Sequence, residues 1–147
     1  GENEYRNLIS VRPQYQPSII KMIVLDFITR QDDRHLSNIA VKISGDKECF
    51  YPLYDNGRSL FYEDTEETVK KAIKDPILFC TEFGPVGSYY DVLKEIAENG
   101  TDFSKLVNLE VTEDEIKKAL IESGFKGYKL TGSVKWIMKT IKIVKEL

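Results

Sequence analysis

Asp33-Arg34-His35-Leu36-Ser37-Asn38 sets a carboxylate and a carboxamide five positions apart, and Asp55-Asn56-Gly57 begins seventeen positions after Asn38. Side chains of these types suit the transfer of a phosphoryl group from ATP. That chemistry needs a carboxylate to orient the attacking hydroxyl and accept its proton. It also needs oxygen ligands that hold magnesium against the phosphates, one of them a second carboxylate bridging metal and nucleotide. Asp33 suits the first role, and Asn38 and Asp55 suit the second. The gap between Asn38 and Asp55 is long in sequence, but a hairpin between them makes it short in space.

The flanking elements are readable from periodicity. A helix is expected from about Pro17 to Thr29, with Pro17 at the start, where a missing N–H costs nothing. Ile20, Ile23, Val24, Phe27 and Ile28 follow the i, i+3, i+4 pattern, and Ile19, Met22 and Leu25 add a second apolar face, so this helix is buried on most sides. A polar stretch, Arg30 to Asn38, follows it. Ile39 to Ile43 and Glu48 to Leu53 read as strands around the turn chemistry of Ser44-Gly45-Asp46-Lys47.

Beyond the hairpin the chain reads as helical. Asp64 and Glu67 suggest a capping box for a helix to Lys74, ended by Asp75-Pro76, and residues 76–86 read as an irregular apolar segment. Further helices are expected from Ser88 to Glu98, from the Thr112-x-x-Glu115 capping box to about Gly124, and from Ser133 to Lys145. The last one segregates Lys135, Lys139, Lys142 and Lys145, a solvated face, from Val134, Ile137, Ile141 and Val144. The fold class is therefore α+β, mostly α-helical, with one small β-hairpin.

Composition narrows the setting. A chain of 147 residues with no linker-like tract suits a single domain. Its 41% hydrophobic and 31% charged content is globular rather than disordered. A net charge of −3 argues against an undirected nucleic-acid coat. The longest apolar run, Met22 to Leu25, is far below the roughly 20 residues of a membrane span. Cys49 and Cys80 form no CxxC pair, and no base lies near them in sequence; a reducing, cytoplasmic compartment is expected. The single histidine, His35, excludes sites that need two. A start at Gly1 without methionine reads as an excised piece of a longer protein.

The D-x-x-x-x-N spacing, a hairpin and then D-x-G resemble the catalytic and metal loops of the protein-kinase-like fold. The Asp-Arg-His order is similar to the D-x-H-x-x-N of HipA-type toxin kinases and to the D-R-H-x-x-N of phosphoinositide kinases. The surroundings, LDFITRQDDRHLSNIAV and YPLYDNGRSLF, favour the HipA-like group. The resemblance covers about residues 17–62. It implies Asp33 as the catalytic aspartate and Asn38 and Asp55 as metal-binding and cofactor-binding residues. His35 would support the loop or approach the phosphates, and Asn56 stands where phenylalanine is usual.

ATP and Mg²⁺ are the implied cofactors, and a Ser/Thr hydroxyl of a protein the implied substrate. A toxin–antitoxin setting with a DNA-binding antitoxin partner is implied as well. No G-x-G-x-x-G and no V-A-I-K-like strand occurs in the chain, and only 32 residues precede Asp33. The expectation is a kinase C-terminal lobe. The nucleotide-covering N-terminal lobe would come from the same polypeptide or a separate subunit, and the isolated fragment would be inactive. The alternatives are a non-catalytic regulatory or binding module of the same lobe, and a lipid or small-molecule kinase fragment. Arg34 is expected to pair with a carboxylate in a structural role, and Arg58 to form a surface salt bridge.

Overall fold

A computed structural model describes residues 4–51, 53, 56–80 and 87–147. Among them are helices α1 (Glu4–Val11), α2 (Gln16–Ile28), α3 (Glu66–Lys74), α4 (Tyr89–Glu98), α5 (Glu113–Glu122) and α6 (Gly127–Glu146), with strands β1 (Val41–Ser44) and β2 (Lys47–Phe50). The class is α+β and mostly helical. No helix among the described residues is long and apolar enough to cross a membrane.

α2 is the hub, packed against α1, α4 and α6. Its two apolar faces are buried from Ile19 and Ile20 through Phe27 and Ile28, with Leu25 half-buried. An aromatic cluster fastens α2 to α6. Trp136 donates its Nε1–H to the Phe27 carbonyl at 3.1 Å, and the rings of Phe61 and Phe79 meet it edge-on at 5.7 and 5.4 Å. Edge-to-face pairs of this kind set the positive rim of one ring on the negative face of the other.

α6 starts at Gly127, six residues before the expected Ser133. Gly127 and Gly132 are poor helix formers, so propensity favours the later start. Packing reverses this: Gly132 is buried against Val69 of α3, and a Cβ there would collide with the valine methyl. The capping of α3 also differs from expectation. Thr65, not Asp64, is the N-cap, and its Oγ1 accepts from Thr68 N at 3.3 Å. Asp64 is drawn instead to Arg30. The Thr112–Glu115 capping box forms as read. α1 was not foreseen; it docks Tyr5 into the core.

The hairpin is antiparallel, with Val41 opposite Phe50 and Ser44 opposite Lys47. Its strands are shorter than expected, although Tyr51 N still donates to Ala40 O at 2.8 Å. Both faces are largely exposed. Tyr15 anchors it to the start of α2, donating to Glu48 Oε1 at 2.8 Å and packing its ring against Phe50.

Candidate functional site

α2 must end sharply for the Asp33 loop to leave it. Arg30 N bonds the Phe27 carbonyl at 3.2 Å and Gln31 N bonds the Asp26 carbonyl at 2.8 Å, the pair of bonds that closes a helix in a Schellman turn. Glycine usually fills the left-handed position of that turn. Here Arg30 fills it, with φ 48°. The conformation places its guanidinium 4.6 Å from the Phe61 ring centre, 5.1 Å from Phe79 and 5.5 Å from Trp136, and within 3.1 Å of Asp64 Oδ2. Leu60 and Phe61 also have positive φ, and Leu60 N bonds Thr29 O at 2.9 Å. Strained backbone thus gathers where the chain enters one loop of the candidate site and leaves the other.

Arg34 organises the interior of the loop. Its Nε and Nη2 donate to the two oxygens of Asp26 at 2.9 and 3.0 Å, with both residues buried. Nη1 donates to the Asn38 carbonyl at 3.2 Å, and Nη2 also to Asn56 Oδ1 at 2.6 Å. One planar fork therefore binds the helix, the loop and the segment after Asp55. Burial pushes the Asp26 carboxyl above its ordinary pKa, and the hydrogen bonds and charge of Arg34 oppose that shift. The structural role expected for Arg34 is the one it has.

Asn38 and His35 lie together. Asn38 Nδ2 donates to the Asp33 carbonyl at 3.0 Å and is 3.3 Å from His35 Nε2. The backbone repeats the closure, with His35 N bonded to Asp33 O and Asn38 N to His35 O. Asp33 N is held by Gln31 Oε1 at 3.0 Å. The loop backbone is thus pinned on both sides of Asp33. Among the described residues, no hydrogen bond or ion pair engages the Asp33 carboxylate.

Asp55 lies outside the described residues. The segment after it is tied to the Asp33 loop twice more: Asp32 N bonds Arg58 O at 3.3 Å, and Arg58 Nε donates to Asp32 Oδ1 at 3.0 Å. The Asp32 hydrogen bond and charge, with Glu63 and Asp33 adding to them, raise the Arg58 pKa. The surface salt bridge expected of Arg58 is present. Among the described residues, no group of three or more His, Cys, Asp or Glu is placed to hold a metal ion. Asn38 offers a different donor: among the described residues the hydrogen bonds of its side chain run through Nδ2, so its Oδ1 is the oxygen a hard cation would meet.

Asp26, Gln31 and Arg30 were not foreseen as parts of this arrangement. Asp26 did carry a signal, a lone carboxylate inside the apolar run Ile23 to Ile28, where an ion is found only with a partner. Arg30 and Gln31 carried none. Comparison of the chain with protein-family models, curated proteins and solved structures finds no match.

Proposed function

We propose that the chain is the C-terminal, catalytic-loop-bearing lobe of a HipA-like serine/threonine kinase, which transfers a phosphoryl group from ATP to a protein hydroxyl. The observation that carries the reading is the Arg34 fork, which joins Asn38 of the first motif to Asn56 of the second. A lobe of this kind has to bring those two loops together. Asp33 orients the substrate hydroxyl and takes its proton, on a backbone immobilised from Gln31 to Asn38. His35 supports the Asn38 amide, and the Asn38 oxygen, with Asp55, would hold the metal. Bound Mg²⁺ supplies charge stabilisation at the phosphates.

The nucleotide-covering lobe belongs to the same proposal, either upstream in the polypeptide or on a second subunit, as do a cytoplasmic setting and an antitoxin-like DNA-binding partner. The test uses the full-length parent with labelled ATP, magnesium and a panel of protein and lipid substrates. Protein labelling that disappears in Asp33→Ala and in Asp55→Ala is the expected result. Activity that survives both substitutions overturns the assignment. The isolated chain should bind Mg-ATP weakly, and micromolar affinity in calorimetry contradicts that.

A further inference from the structure

Beside the Arg30 turn that ends α2, α3, the turn at Pro76–Leu78 and α6 border a cavity of about 480 Å³. That volume lies in the range of small-molecule sites, roughly 300–1,000 Å³. Phe79 and Trp136 line its inner wall, and Leu78, 68% exposed, stands at its edge. Among the described residues, three cations and two carboxylates line it. Arg30 and Asp64 neutralise each other in an ion pair, whereas Lys71 and Lys74 make no ion pair among the described residues and outnumber Asp75. Attraction to the helix dipole accounts for two lysines in the last turn of α3. It does not account for a cavity of apolar floor beside them.

We infer that this cavity binds a small organic anion, with an apolar body lying over Leu78 and Phe79 and its acid group directed to Lys71 and Lys74. Charge complementarity selects an anion, and the apolar lining selects one carried on a hydrocarbon or aryl frame rather than a bare inorganic ion. The inference stands apart from the phosphoryl-transfer reading, since Lys71, Lys74, Leu78 and Phe79, the residues that would meet the ligand, are given no part in that chemistry.

The chain supplies its own reporters. Trp136 is its single tryptophan. Cys80 lines the cavity, while Cys49, also exposed, lies on β2 and serves as an internal control. The probe is anilinonaphthalene sulfonate, compared with phenylnaphthylamine, which has the same frame without the sulfonate. Saturable energy transfer from Trp136 to the sulfonate is expected, with an affinity several-fold and at most about thirtyfold weaker in the Lys71→Ala/Lys74→Ala variant, the range two exposed charge contacts allow. The sulfonate should slow alkylation of Cys80 and leave Cys49 unchanged, a readout that needs no variant to fold. Equal affinity for the neutral analogue, unaltered affinity in the lysine variant, or alkylation of Cys80 that is not selectively slowed each overturns the inference.

Discussion

Arg34 Nη2 donates to Asn56 Oδ1 at 2.6 Å, across 22 positions of sequence, while the same guanidinium grips buried Asp26 with two hydrogen bonds. The residue between two motif positions thus holds the two candidate loops in register. Replacing it by leucine leaves the Asp26 carboxylate in the core without a counter-charge, which costs about 3–5 kcal/mol. Urea denaturation of Arg34→Leu should show that loss. Arg34→Lys should recover only part of it, because an ammonium cannot reproduce the planar fork. A loss below about 1 kcal/mol for the leucine variant would show that the pair is structurally idle.

Asp33 should separate stability from chemistry. No hydrogen bond among the described residues uses its carboxylate, so Asp33→Ala should shift unfolding free energy by no more than about 0.5 kcal/mol. In the full-length parent the same change should lower phosphoryl transfer by roughly a hundred- to ten-thousand-fold. Asn38→Ala should lower both, since Nδ2 also supports the Asp33 carbonyl; about 1 kcal/mol of stability is at stake. Thermal melts beside activity assays distinguish the two patterns.

Arg30→Gly tests a local preference against a tertiary one. Glycine removes roughly 1–2 kcal/mol of left-handed strain. The arginine supplies a guanidinium close to three rings, worth about 2 kcal/mol when desolvated, along with its half-buried ion pair to Asp64. The expected outcome is a lower melting temperature despite the more favourable backbone. A higher one would show that strain outweighs the aromatic contacts.

Gly132→Ala forces a methyl group into Val69 where α3 crosses α6. Overpacking of this kind costs about 1–3 kcal/mol. Adding Val69→Ala makes room, so the double variant should be more stable than the two separate losses summed. Chemical denaturation of all four proteins in the cycle checks it.

Stability should fall at both ends of the pH scale, with opposite signs. Glu115 accepts from Thr112 N at 2.8 Å and from its hydroxyl at 3.1 Å, and these bonds hold its pKa below the ordinary glutamate value. A depressed carboxyl stabilises the fold above its unfolded pKa, and the contribution is lost as pH falls through the folded value. Burial pushes Tyr5 from 10.0 to about 12, so its contribution is complete below 10.0 and is lost as pH rises toward about 12. Thermal melts across pH should show both limbs, Glu115→Gln should flatten the acid one, and tyrosinate absorbance should follow the other.

What the sequence by itself determined is local. Apolar spacing specified α2, and turn chemistry specified the hairpin at Gly45. A Thr-x-x-Glu spacing specified the start of α5, because a cap is satisfied by atoms three residues away. The motif residues were visible because their chemistry depends on type and spacing. Tertiary structure decided what depends on distant partners. It drew Asp64 from capping α3 to Arg30, extended α6 over two glycines because Val69 needs the space, and gave Arg34 to Asp26. In each case burial against a remote segment outweighed a preference of at most about 1–2 kcal/mol, and spacing along the chain holds no record of such contacts.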